Sequence, residues 1–223
     1  MPDATGLRPD PLALVAAGYD ALAERYEKWA TGVRADERQR YLDVLTGRLP
    51  AGARVLELGC GSGLQTRILS RRFEVTAVDI SARQLALARA SAPGATFIHA
   101  DMTAFELPAT SFDAACAFYS LGHVPADQHG ALLRRVAGWL RAGGLLVASF
   151  GIGDNPGWIG EWLGVPMYFS SNAAATTLHL AAAAGLHVER SGVEVAEEAG
   201  QPVAFLWLVA RRTDEPRPAG QSD

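Results

Sequence analysis

Nine consecutive residues constrain this chain more than any others: Val55-Leu56-Glu57-Leu58-Gly59-Cys60-Gly61-Ser62-Gly63, an apolar run that enters a glycine-rich turn. Glycine permits a sharp turn and lets a ligand approach without a Cβ in the way. A strand, turn and helix in this order place Gly59 and Gly61 at the carboxyl end of a sheet strand, where doubly wound sheets open their crevice. Downstream, short runs suited to buried strands alternate with longer stretches of helical period, the pattern of a parallel sheet with crossover helices. The predicted strands are 54–58, 74–78, 96–100, 113–117 and 145–150, with helices at 64–72, 82–91 and 126–141. Ser81 is placed to cap the second helix, and Gly143-Gly144 to close the third.

The flanks complete the expected architecture. Asp10-Pro11 supplies an N-cap and a first-turn proline, and Leu12, Val15, Tyr19, Leu22 and Tyr26 then recur at helical steps. A second helix is expected over 35–49, with Tyr41, Leu42, Leu45 and Leu49 on one face and Pro50 as its stop. Together 10–50 form an N-terminal helical cap. After the fifth strand, 151–171 carries Pro156, Pro166 and glycines at 151, 153, 157 and 160, and is expected to be an irregular, lid-like insertion. A helix over 173–184 follows, and the runs 187–195 and 203–210 are joined by a link short enough only for antiparallel pairing. Residues 1–9 and 213–223 lack an apolar period and are expected outside the core, the latter as a disordered tail. The expectation is one α/β domain over 1–212: a doubly wound, mostly parallel seven-stranded sheet with an antiparallel C-terminal hairpin.

Composition narrows the functional classes. With 49% hydrophobic and 20% charged residues, the chain has the makeup of a globular protein with a buried core. Its net charge is −4, and its basic residues, all arginine except Lys28, are scattered, so nothing favours nucleic acid as a partner. Cys60 and Cys116 are too few for a disulfide framework and lack zinc-site spacing, so reduced thiols and no metal are expected. No apolar run approaches the length of a membrane span, and the first ten residues lack the pattern of a targeting segment. A cytoplasmic protein acting away from membranes is expected.

Asp79 follows the run 75–78 and lies about twenty residues beyond the first glycine, where a carboxylate accepts both hydroxyls of a ribose. A dinucleotide site would want a third glycine at position 64, which is Leu64, while Glu57 stands two positions before the first glycine. These residues resemble the first motif of the class I S-adenosylmethionine-dependent methyltransferases, in which an acid precedes a Gly-x-Gly-x-Gly turn. The similarity continues through Asp79, Ala100-Asp101-Met102, Phe112-Asp113 and Leu140-Arg141-Ala142-Gly143-Gly144. It spans 54–150, departing only in lacking a proline before the last glycines.

The resemblance implies a Rossmann-like methyltransferase fold and S-adenosyl-L-methionine as cofactor. It places Gly59, Gly61, Asp79 and Ile80 around the nucleoside, and Asp101 and Met102 at its adenine. Phe118 and the tyrosines Tyr19 and Tyr26 fall at its methionine end. Taken alone, Asp79 and Asp101 are equally loop or capping carboxylates, and Tyr19 and Tyr26 are equally core residues of an amphipathic helix. Glu57 is read as a cofactor-binding residue, because a buried carboxylate without a partner is costly, with a structural acid satisfied within the protein as the competing reading.

Methyl transfer from a sulfonium requires alignment more than acid–base chemistry. His123, in the segment after the fourth strand, is the candidate base for a hydroxyl acceptor, with a structural histidine as the competing reading. Trp158, Trp162, Met167 and Tyr168 suggest an apolar acceptor pocket for a small, aromatic or apolar metabolite, or ordinary packing under a long loop. Three other functions share these motifs: a cyclase-like enzyme that binds the donor without transferring methyl, a non-catalytic cofactor-binding module, and a nicotinamide oxidoreductase. A monomer or homodimer is expected.

Overall fold

The structure is a computed structural model that describes residues 10–198 and 201–213. Helices α1 (Pro11–Gly32) and α2 (Ala35–Arg48) precede β1 (Arg54–Leu58), α3 (Leu64–Leu69), β2 (Glu74–Asp79), α4 (Ala82–Ser91) and β3 (Thr96–His99). Strand β4 (Phe112–Ala117), α5 (His129–Trp139) and β5 (Leu140–Gly151) follow. The chain then forms β6 (Asn155–Trp162), β7 (Val165–Ser171), α6 (Ala174–Ala183), β8 (Leu186–Glu198) and β9 (Gln201–Arg212). Asp10 caps α1 by accepting a bond from the Leu12 amide at 3.0 Å, and the Ser81 hydroxyl caps α4 through the Gln84 amide at 3.1 Å.

Seven strands form one sheet in the order β3-β2-β1-β4-β5-β9-β8. The first five are parallel, and β9 runs antiparallel to both β5 and β8. Because β1 pairs with β2 on one side and β4 on the other, the order reverses at β1, and the crevice opens at its carboxyl end. One face of the sheet packs Leu56, Leu58 and Leu146 against Val136 and Trp139 of α5. The opposite face packs Val55, Val75 and Trp207 against Tyr41, Leu45 and Leu85. The domain expected from the alternating pattern is therefore a doubly wound, mostly parallel sheet with a closing antiparallel pair. Among the described residues, no helix is long and apolar enough to cross a membrane.

Three local expectations are corrected. The stretch 151–171 is a β-hairpin, with Trp158 paired to Phe169 and Trp162 to Val165. Its glycines serve that pairing rather than disorder: a Cβ on Gly157 would fall 2.3 Å from the Tyr168 hydroxyl. The third crossover helix is shorter than 126–141, a single 3-10 turn at Ala126–Gln128 followed by α5. Leu140 already pairs with Phe112, and 141–144 bulge out before pairing resumes at Ala114 and Leu145, so Gly143 (φ 69°) bends a strand and does not end a helix. The helix after β1 ends at Leu69 rather than at 72, because the backbone closes on itself where the amides of Arg72 and Phe73 both donate to the Leu69 carbonyl. Residues 1–9 and the tail beyond 213 lie outside the described residues.

Candidate active site

The turn after β1 is held open by its glycines and closed by Asp79. Gly59 has φ 71°, and a Cβ there would sit 2.2 Å from the Ser120 Cβ, so no other residue fits without moving the segment after β4. The amides of Gly59 and Cys60 donate to the Val78 carbonyl at 2.8 and 3.1 Å, tying the turn to β2. Asp79 then accepts from the Gly61 amide at 2.7 Å and the Ser81 amide at 2.9 Å. Burial raises its carboxyl above the usual value, and the backbone amides oppose that shift. Gly61, Asp79 and Ile80 thus line one wall of a cleft.

The opposite wall comes from β3 and β4. Asp101 bonds the Thr103 amide at 2.7 Å and hydroxyl at 2.8 Å, which orients its carboxylate beside Met102. Asp101, Met102, Phe118 and Ser120 line the cleft together with Gly59. Helix α1 lies across its top, where Tyr19 and Tyr26 contribute their rings and leave a space of about 60 Å³. Asp20 anchors α1 there, accepting from the Ser81 hydroxyl at 2.6 Å and the Arg83 amide at 3.0 Å. Nothing in the sequence pattern marked Asp20, whose partners lie about sixty residues downstream and meet it only in the fold.

Glu57 is not part of this cleft. Its side chain is buried at 3% exposure and accepts from the Thr66 hydroxyl at 2.6 Å, tying β1 to α3. Burial pushes its carboxyl up to about 8, against the Thr66 bond. The expected ligand contact of Glu57 is thus corrected to an internal bond between β1 and α3.

A second, larger cavity of about 580 Å³ adjoins the cleft under the hairpin. Tyr19, Tyr26, Tyr119 and His123 line both spaces and form the wall between them. His123 is buried, with Nδ1 2.9 Å from the Tyr168 carbonyl and Nε2 2.8 Å from the Tyr19 hydroxyl. A carbonyl only accepts, so the ring proton sits on Nδ1 and Nε2 accepts from Tyr19. Burial lowers the imidazole to about 4, so it is neutral across the physiological range. Tyr19 is raised well above the usual phenol value by burial and by Tyr26.

Trp162 closes the chamber against the cap, its ring 5.9 Å from Tyr19, 5.8 Å from Tyr26 and 5.4 Å from Trp29. Trp158 lies at the rim, 47% exposed and stacked on Phe169 at 5.3 Å. Met167 and Tyr168 do not line either space. Strand alternation turns Met167 onto α1, where a Cβ on Gly18 would lie 2.8 Å from its methyl group, and Tyr168 bonds the Pro156 carbonyl at 3.2 Å. Sequence patterns also missed Trp29 near the end of α1, Arg34 at the cap of α2, Arg38 within α2 and Tyr119 after β4, all of which line the chamber. No cluster of metal-binding side chains occurs among the described residues.

Comparisons with known proteins agree with this geometry. Residues 55–144 match the methyltransferase domain family. Trans-aconitate 2-methyltransferase from Paracidovorax citrulli is 38% identical over 117 residues, covering 50% of this chain and 44% of that protein. The dTDP-3-amino-3,6-dideoxy-alpha-D-glucopyranose N,N-dimethyltransferase from Streptomyces fradiae is 31% identical over 146 residues, 62% of this chain and 57% of its own. The chain thus spans about half the length of the curated relatives it matches. The fold of DhpI in its complex with S-adenosylhomocysteine superposes with a TM-score of 0.73 at 22% identity, covering 94% of this chain and all of the other. Motif, fold and sequence similarity coincide over the same strands, and residues 55–144 of the chain match the methyltransferase domain model.

Proposed function

We propose that this chain transfers a methyl group from S-adenosyl-L-methionine to a small, aromatic or apolar molecule held in the chamber under the hairpin. The observation that carries this reading is the shared wall of Tyr19, Tyr26, Tyr119 and His123, which sets a nucleoside cleft against an aromatic chamber. The cleft suits the cofactor chemically: a glycine turn that a Cβ would obstruct, a carboxylate at Asp79 for the ribose and one at Asp101 for the adenine amino group. When bound, the cofactor supplies an electrophilic sulfonium methyl.

The chain's own residues do the rest. The aromatic walls exclude water and hold the acceptor in line, an effect worth roughly 7 to 11 kcal/mol in favourable cases. The Tyr19 hydroxyl faces the acceptor, and His123 acts through it, taking the phenol proton at Nε2 as Tyr19 takes one from the acceptor. A base as weak as a buried imidazole near 4 accepts a proton only as the acceptor atom gains positive charge, so deprotonation accompanies transfer instead of preceding it. The two buried free thiols, Cys60 and Cys116, support a reducing, cytoplasmic setting.

Incubating the protein with S-adenosylmethionine and a metabolite library, and following S-adenosylhomocysteine by mass spectrometry, tests the reading. Acceptor-dependent release of S-adenosylhomocysteine is expected. Binding of the cofactor with no release on any acceptor would leave only a cofactor-binding module.

A further inference from the structure

Arg34 and Arg38 both line the chamber, yet only one has a cation to spare. The Arg34 guanidinium bonds Glu198 at 2.5 Å, Glu37 at 2.9 Å and the Val203 carbonyl at 2.7 Å, so its charge is neutralised and each of its three nitrogens is engaged. Arg38, one turn further along α2, gives an N–H to the Ala30 carbonyl and makes no ion pair among the described residues. A guanidinium carries five N–H donors in a planar fork, so most of its bonding capacity is unspent. It is half-buried, and desolvation lowers it from the usual arginine value in spite of the nearby Tyr119, Tyr26 and Glu37.

The surroundings set what it can bind. Trp29, Trp162, Phe169 and Phe205 give the chamber flat apolar walls. Glu161 is the other unpaired charge of the lining among the described residues, and it sits on the exposed lip of β6. A single guanidinium fork with one charge to spare among flat apolar walls matches a planar monoanion. A phosphate dianion would keep a second charge that no other free cation of the described lining meets.

We infer that the acceptor carries a carboxylate, which Arg38 binds while the aromatic walls hold the rest of the molecule. This rests on the methyl-transfer reading and narrows its substrate class. The carboxylate is an anchor, and the methylated atom is a second group presented at Tyr19, because a carboxylate engaged by arginine is a poor nucleophile and needs no base.

Calorimetry in the presence of S-adenosylhomocysteine, with 4-hydroxycinnamate and its methyl ester as probes, decides the matter. The acid is expected to bind the wild-type chain about tenfold or more tightly than the ester. Arg38→Gln is expected to equalise the two, and Arg38→Lys to restore part of the preference. S-adenosylhomocysteine affinity and far-ultraviolet circular dichroism unchanged from wild type show that each variant is folded, and if Arg38→Gln is not, Arg38→Lys carries the comparison. The inference is overturned if wild-type protein binds the acid no better than the ester, or not at all, or if the preference survives Arg38→Gln. Wild-type protein that fails to bind S-adenosylhomocysteine would instead sink the methyl-transfer reading beneath it.

Discussion

The hydroxyl of Tyr19 donates to Nε2 of His123 at 2.8 Å, joining the first helix of the chain to the loop after the fourth strand across 104 residues. The Tyr168 carbonyl fixes the tautomer from the other side of the ring. His123 therefore has no lone pair free to meet an acceptor directly, and the Tyr19 hydroxyl stands between the two.

If the pair works as a unit, Tyr19→Phe and His123→Gln should each lower kcat by about 10- to 100-fold on a hydroxyl acceptor, with the double variant no worse than either single one. S-adenosylhomocysteine affinity should change less than threefold. Single-turnover kinetics on the three proteins is the measurement, and additive losses would show that the two groups act separately.

The acids that line the cleft should separate from the acid that does not. Asp79→Asn is expected to weaken S-adenosylhomocysteine binding by roughly 10- to 100-fold, since hydrogen bonds to a charged group are worth about 1.5–3 kcal/mol each. The asparagine amide would also face one of the two backbone donors at Gly61 and Ser81 with a donor of its own. Asp101→Asn should cost about tenfold, having one group of the adenine to recognise. Titration calorimetry checks both.

Glu57 makes a prediction about pH. Its folded value of about 8 lies above the ordinary carboxyl value of 4.5, so the folded state holds a proton that the unfolded chain releases. Its contribution to stability is full below about pH 4.5 and is lost as pH rises towards 8. His123 runs the other way, because its value is lowered from 6.5 to about 4, and its contribution is lost as pH falls through that window. Between pH 6.5 and 8 only the Glu57 slope remains of these two, so wild-type protein should lose thermal stability there. Glu57→Gln, which keeps an acceptor for Thr66, should flatten the decline. Melting temperatures of both proteins across that range test the assignment, and parallel curves would count against it.

The two hairpin tryptophans should behave differently. Trp158, half-exposed and stacked on Phe169, is expected to affect only the acceptor, so Trp158→Ala should raise its KM several-fold and leave cofactor affinity unchanged. Trp162 touches Tyr19, Tyr26 and Trp29, so Trp162→Ala should weaken cofactor and acceptor together and destabilise the cap by about 3 kcal/mol or more. Equal behaviour of the two variants would mean that the hairpin moves as one piece.

What the chain determined by itself was local. The apolar run into Gly59 and Gly61, the capping of α1 by Asp10 and of α4 by Ser81, and the position of Asp79 depend on residues close in sequence or on one strand-to-helix unit. Side-chain period and glycine conformation express that information directly, which is why the mostly parallel seven-stranded sheet and its crevice were legible. The hairpin at 155–171 was not, since its glycines and prolines signal turns and its pairing depends on α1 packing against it. Only the tertiary structure decided that Glu57 turns to Thr66, that Met167 packs on Gly18, and that Tyr19 meets His123. Each of these sets side chains from elements distant in sequence against one another, and the direction of a side chain in a strand or helix is settled by which face the fold buries.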